Sequence, residues 1–234
     1  MSRKIGIIGA MEEEVRVLRE RMPDMRCETH AGMEFCAGRI DGTEAVLVRS
    51  GIGKVNAAIC AEILIDRYEV THILNTGIAG SLNAEIDIGD AVVSTDAIYH
   101  DVDATLFGYE PGQVPGMKTA AFPSDAEFRQ LVSAAIKTEA PEIRLFEGRV
   151  VSGDQFISSD RRKEEIVRQF HGLCTEMEGA GIAQAAYLNN VPFVIVRFIS
   201  DKANSEAEKT YAEIEQEAAE RSARITAEVL KHLG

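Results

Sequence analysis

The stretch VPFVIVRFISDK, Val191 to Lys202, holds six large apolar side chains in its first eight residues and then delivers Ser200 and Asp201. A continuous apolar run of this length predicts a short strand buried on both faces. A carboxylate at the carboxyl end of such a strand stands where open α/β sheets bind their ligands. Asp201 is therefore the first candidate for a catalytic acid, with Arg197 and Ser200 beside it.

The segments around this strand repeat its pattern. Lys4 to Gly9, KIGIIG, reads as another interior strand, and Glu12, Glu13 and Glu14 then open a helix carrying Val15, Leu18 and Met22 until Pro23. Three acids in a first helical turn suit the macrodipole, although that explanation does not need all three. Asp41-Gly42 between Met33–Ile40 and Glu44–Arg49 is a hairpin signal. SGIGKV leads into a helix with Val55, Ile59, Ile63 and Leu64 on its apolar side. No glycine stands five places before Gly53 and Val55 replaces the required hydroxyl residue, so this is no phosphate-binding P-loop. Thr71 to Asn75 reads as a strand ending in a glycine-rich turn, Thr76 to Ser81, and Asp90 to His100 as a longer strand.

The loop from Asp101 to Met117 exceeds the usual connection length, which points to a working role. Ser124-x-x-Glu127 is a capping box for the next helix. Glu142 to Val151 is a strand running into Ser152–Ile157, and Thr175–Glu178 opens a small-residue helix ending before Pro192. The last helix, with Ala207, Tyr211, Ile214, Ala218, Ile225 and Val229 on one stripe, is amphipathic. Strands alternate with helices and there is no linker. The expectation is a single α/β domain over residues 1–234, one mixed β-sheet flanked by α-helices on both faces.

Composition narrows the function classes. The chain has 234 residues, 27% of them charged, and a formal net charge of −13. That balance argues against nucleic acid and against anionic membrane surfaces as partners. No apolar run approaches the roughly 20 residues of a membrane span, and the N-terminus does not read as a signal peptide. Cys27, Cys36, Cys60 and Cys174 are scattered without a CxxC pair, so reduced thiols in a cytoplasmic protein are expected. His100-Asp101-Val102-Asp103 contains metal-ligand types, but three so close in sequence rarely close a site alone, and the expected reading is a hydrogen-bonded turn with no metal.

Polar residues follow apolar strands at Met11–Glu14, Ser152–Ile157, Glu176–Glu178 and Ser200-Asp201. Such carboxylates, if they converge, repel and raise one another's pKa. KIGIIGAMEEEV, SGIGKVNAA, NTGIAGS, YHDVDATLFGYEPGQVPG, VSGDQFI, TEMEGAGIAQ and FISDKA, in that order, closely resemble the bacterial 5′-methylthioadenosine/S-adenosylhomocysteine nucleosidases. These belong to the purine nucleoside phosphorylase/uridine phosphorylase superfamily. The resemblance implies a nucleoside phosphorylase-like fold, hydrolysis of an adenine N-glycosidic bond without cofactor or metal, and a homodimer.

The same resemblance implies the roles. Asp201 would protonate adenine N7, with Ser200 orienting it. Glu14 would activate water, helped by Arg197. Glu178 would bind the ribose hydroxyls beside Glu176, and Met177 would pack on the sugar. Phe156 would stack on adenine, and Ile157 would read its edge through main-chain groups. Met11, Ile52, Ile78, Phe107 and Tyr211 would line the ribose and alkylthio pocket. The loop with Phe107 and Pro115 would reach a neighbouring subunit. At Ile78 many family members carry Ser or Thr, and at Tyr211 often Phe. A phosphorylase or a non-catalytic nucleoside binder are the competing readings. The first needs a cationic phosphate cradle where this chain has Met11 and three glutamates, and the second needs no pair such as Glu14 and Asp201.

Overall fold

The apolar run Lys4–Gly9 forms β1, and the acidic turn after it opens α1 (Glu12–Glu20). There follow β2 (Arg26–His30), β3 (Met33–Ile40), β4 (Thr43–Arg49), α2 (Lys54–Asp66), β5 (His72–Ser81) and β6 (Ala91–Tyr99). The second half comprises β7 (Ala121–Pro123), α3 (Ala126–Glu139), β8 (Leu145–Ser152), α4 (Asp160–Phe170), β9 (Cys174–Glu176), α5 (Gly179–Asn189), β10 (Phe193–Asp201) and α6 (Ala207–Leu230). The computed structural model describes residues 3–233, apart from the side chains of residues 208–213.

Among the described residues, all ten strands join one mixed sheet in the order β10-β6-β8-β9-β5-β1-β4-β3-β2, with β7 on β6. β10 also pairs with β5, in parallel from Phe193↔Ile73 onward. Five strands, β10, β6, β8, β9 and β5, therefore close into a ring, and the remaining strands extend from β5 as an open sheet. Every residue of β10 is buried, which is what its unbroken apolar run demands. One core packs α2 and α5 on one face through Ala57, Cys60, Leu64, Ile182 and Ala186. A second packs α1, α3 and α6 on the other through Val15, Leu18, Phe128, Val132 and Val229. The single mixed α/β sheet covered by helices on both faces is as expected. The closure into a ring is additional.

Several local readings change, each for a physical reason. Thr76–Ser81 does not turn after the strand; it continues β5, because β10 and β9 pair with it to its end. Glu176 likewise ends the short strand β9 before α5 begins at Gly179. The cap of α3 is Asp125, whose Oδ1 accepts Phe128 N at 2.7 Å. Ser124 is instead spent on a buried hydroxyl pair with Ser94 at 2.6 Å, and Ser94 Oγ accepts Ile195 N.

On α2 the inward face is Ala57, Cys60, Ala61 and Leu64, while Val55 and Ile59 are 69% and 41% exposed. The small residues let α5 come close: a Cβ on Gly181 would stand 2.7 Å from Lys54 O. α6 buries Ala207, Ile225 and Val229 as expected, but also Ala219, Ser222, Ala223 and Thr226. Thr76 on β5 bonds Thr226 Oγ1 at 2.7 Å and Ser222 Oγ at 3.2 Å, pinning α6 to the central strand.

The polar edge strand β2 has no apolar alternation to reveal it, and it sets Cys27 directly opposite Cys36. These two form a disulfide, with Cα atoms 4.1 Å apart, so the expectation of reduced thiols holds only for the buried Cys60 and Cys174. Among the described residues, no helix is long and apolar enough to cross a membrane.

The β3–β4 hairpin follows its signal, with Asp41 and Gly42 at φ 49° and 94°, as a two-residue primed turn requires. Gly42→Ala places a Cβ in that left-handed conformation, at a cost of about 1–2 kcal/mol. The thermal midpoint should fall by roughly 3–6 °C, with activity at 25 °C unchanged; an unaltered midpoint would show the turn does not need glycine.

Candidate active site

The three acids opening α1 part company. Glu12 turns outward to Arg19 at 2.6 Å. Glu14 turns inward and is buried; its Oε2 accepts Ala10 N at 2.6 Å and Met11 N at 3.1 Å, and its Oε1 accepts Ile78 N at 3.1 Å. Burial raises the Glu14 pKa, and the Arg197 charge with the three N–H donors offsets this only in part. The carboxylate reaches β5 because residue 77 is glycine: a Cβ there would lie 2.4 Å from Glu14 Oε1.

Asp201 ends β10 at an irregularity in its register with β5, between Ile199 and Asp201. Such bulges re-aim side chains. Its Oδ1 accepts Ala203 N at 2.7 Å and its Oδ2 accepts the Ser200 hydroxyl at 3.0 Å. Burial raises this pKa as well, against the pull of Ala203 N, Ser200 and Lys163. Gly80 makes the room, since a Cβ there would stand 2.7 Å from Asp201 Oδ1.

Between these groups lies a buried charge cluster. Arg197 Nη2 donates to Glu176 Oε2 and, at 2.7 Å, to Asn75 Oδ1; Glu178 Oε2 is 3.8 Å away. Glu176 is fully engaged, accepting from Ser152 Oγ, Arg197, Glu178 N and Gly179 N. It anchors the start of α5. Among the described residues, Glu178 accepts only Gly53 N, at 2.9 Å, besides the Arg197 contact. Burial first, and then the Glu176 charge, push its pKa up to about 8.

One pocket is lined by Met11, Glu14, Ile52, Ile78, Phe156, Glu176, Met177, Glu178, Ser200 and Asp201. Ile157 lines a recess that shares Phe156, Met177 and Asp201 with it. The structure thus brings together most of the residues singled out in the sequence. Ile78 contributes its backbone N–H to Glu14 and its aliphatic side chain to the wall. Arg197 sits beneath the pocket and acts on Glu14 through its field, with its ion pairs to Glu176 and Glu178. Phe107, on a three-residue helical turn, is 78% exposed and Pro115 is exposed; neither lines this pocket. The Tyr211 side chain lies outside the described residues.

Sequence reasoning missed Ala10, Ala79, Gly80 and Thr175, which also line the pocket, and Asn75, which holds Arg197. Gly80 and Asn75 belong to the NTGIAGS motif, where a glycine signals a ligand or a side chain equally well. The residues weighed as a metal cluster disperse. Asp101 pairs with Lys54, Asp103 caps Thr105, and the buried His100 contacts Arg162.

The whole chain is similar to known proteins. The sequence profile of the phosphorylase superfamily matches residues 4–231. The 5′-methylthioadenosine/S-adenosylhomocysteine nucleosidase of Staphylococcus carnosus is 45% identical over 230 residues, covering 98% of this chain and 100% of that protein. The nucleosidase of the same name from Neisseria meningitidis, solved with methylthio-immucillin-A, superposes with a TM-score of 0.94 at 37% identity, covering 98% of this chain and 99% of that one. The Colwellia psychrerythraea enzyme, solved with adenine, gives a TM-score of 0.94 at 40% identity over 100% of this chain and 96% of its own. The chain belongs to the phosphorylase superfamily and, within it, to the 5′-methylthioadenosine/S-adenosylhomocysteine nucleosidases, which are N-glycosyl hydrolases.

Proposed function

We propose that this enzyme hydrolyses the N-glycosidic bond of 5′-methylthioadenosine and S-adenosylhomocysteine, giving adenine and the 5-thioribose product. The observation that carries the reading is a pair of buried carboxyl groups, Glu14 and Asp201, opening on one pocket with both pKa values raised. They meet β5 at Gly77 and Gly80, three residues and therefore about 10 Å apart along an extended strand.

Adenine leaves poorly until N7 is protonated. Burial disfavours the Asp201 anion and so favours the protonated form this role requires. With Oδ1 committed to Ala203 N, Oδ2 is the oxygen left to deliver it, oriented by Ser200. Glu14, fixed by three backbone donors, removes a proton from the water that traps the oxocarbenium-like sugar. Glu178 binds the ribose hydroxyls, Met177 packs on the sugar, and Phe156 stacks on adenine. Ile157 main-chain groups read the base edge in a stretch without regular structure. Met11 and Ile52 wall the alkylthio end.

The chain works as a homodimer in this proposal. Val55 and Ile59 on α2, Leu106 and Phe107 in the loop and Leu188 on α5 are exposed apolar side chains. Their elements are tied together by Lys54–Asp101 and Asn189–Glu62. A partner covering them would account for this patch, and the loop with Phe107 and Pro115 would reach the partner's pocket.

A phosphorylase reading is opposed by charge. Among the described residues lining the pocket are Glu14, Glu176, Glu178 and Asp201, with no Lys or Arg, so phosphate would meet repulsion where water does not. Adenine release from methylthioadenosine should proceed at full rate in phosphate-free buffer; a strict phosphate requirement reverses the assignment. Asp201→Asn should lower kcat about 10²–10⁴-fold while keeping adenine affinity; undiminished turnover removes Asp201 from its role.

Glu178 also gives a stability signature. Its pKa rises from an ordinary value of 4.5 to about 8 when folded. The stability this contributes is fully present below the ordinary value and is lost as pH rises through about 8. The thermal midpoint of the ligand-free enzyme should thus fall more steeply between pH 5 and 9 than that of Glu178→Gln, with the variant more stable at pH 9 by at least about 3 °C. Parallel curves would show that Glu178 ionises without cost.

A further inference from the structure

Two walls of the pocket come from segments distant in sequence: Ile52 before α2, and Phe156 with Ile157 after β8. A third segment, the start of the long loop after β6, joins them. Both oxygens of Asp101 accept from Lys54 Nζ, at 2.7 and 2.6 Å. Oδ2 of Asp101 also accepts Asp154 N at 2.9 Å. Asp154 completes the circuit: its Oδ1 accepts Lys54 N at 2.9 Å, and its Oδ2 lies 3.6 Å from Lys54 Nζ. The ammonium group lies 5.2 Å from the centre of the Tyr99 ring.

The close approach is built in. Gly53 has φ +98°, and a Cβ on it would meet Asp154 Oδ1 at 3.3 Å. The side chains of Lys54 and Asp101 are only 19% and 15% exposed. On one side of the circuit, Gly53 N donates to Glu178. On the other, two residues beyond Asp154, the chain without regular structure carries Phe156 into the pocket.

We propose that Lys54, Asp101 and Asp154 form a positioning latch that holds the Phe156–Ile157 wall across the pocket from Ile52 and Glu178, and so sets the affinity for the adenine base. The three residues touch neither the base nor the reacting atoms; they act through the segment they hold. The Lys54–Asp101 pair is largely enclosed, so breaking it also costs global stability. What distinguishes the latch is a larger local effect on the irregular segment, whose start is tied as well by Gly153 N to Glu176 O at 3.2 Å. The latch also makes Asp101 the hinge between the base wall and the loop bearing Phe107. The proposal rests on reading Phe156 and Ile157 as the base wall.

The test compares Lys54→Met, Asp101→Ala, the double variant and the conservative Lys54→Arg. It measures methylthioadenosine kinetics, adenine inhibition and amide hydrogen exchange of residues 153–158. Each single change should raise KM and the adenine inhibition constant about tenfold, with kcat within about threefold. The double variant should be no worse than the worse single one, because the cycle is already broken, and Lys54→Arg should recover most of the loss. Amide exchange over 153–158 should quicken in Lys54→Met and Asp101→Ala by more than it does in the rest of the chain. Unchanged exchange, an unchanged KM, or additive losses overturn the latch; should Asp101→Ala fail to fold, Lys54→Met decides. A wild-type enzyme that releases no adenine sinks the functional reading instead, and the exchange measurement still judges the latch.

Discussion

A single guanidinium, Arg197, is buried with three carboxyl groups around it, and most of the site depends on that imbalance. A buried cation is tolerated only when paired and hydrogen-bonded. Arg197 meets the requirement by joining β10 to Asn75 on β5 and to Glu176 on β9, three strands of the closed ring. Glu176 passes the constraint on by holding the first N–H groups of α5, and this sets Glu178 in the pocket. One positive charge cannot neutralise Glu14, Glu176 and Glu178 together. The Glu176 charge adds to burial in raising the Glu178 pKa, while at Glu14 burial raises the pKa and the Arg197 charge opposes it.

The central strand β5 supplies the geometry. Its glycines at 77 and 80 admit Glu14 and Asp201 from separate elements, α1 and β10. Its far face is pinned through Thr76 to Ser222 and Thr226 of α6. An alanine at either glycine would put a methyl group where a carboxyl oxygen stands. The strand thus holds in place the two carboxyls that the proposed mechanism uses as acid and base, and preorganisation of this kind is what such a mechanism needs when charge develops during reaction.

Much of this was legible in the chain. The unbroken apolar run of β10 announced its burial, Asp41-Gly42 its turn, and the acids at 14, 176, 178 and 201 their positions past strand ends. The failures have common physical causes. Val55 and Ile59 read as core because hydrophobic spacing does not distinguish a helix face packed on its own domain from an exposed one. Gly77 and Gly80 read as a turn because a glycine that admits a neighbour's side chain looks the same as one that bends the backbone. Ser124 lost its cap to a tertiary partner, Ser94, seen only in three dimensions. The Cys27–Cys36 pair needed the register of an edge strand with no apolar pattern. The equal claims of Glu14 and its two half-buried neighbours could be separated only by which one met the N–H groups of Ala10, Met11 and Ile78.

The division of labour between Asp201 and Glu14 is tested most directly by the pH dependence of kcat/KM for methylthioadenosine. In the proposed mechanism turnover needs Glu14 ionised, so it is lost as pH falls through a raised pKa; it needs Asp201 protonated, so it is lost as pH rises through another. The account predicts a bell whose two limbs both lie above the ordinary carboxylate range of about 4. A rate that climbs through pH 4 and then stays flat into the alkaline range, with no descending limb, would contradict it.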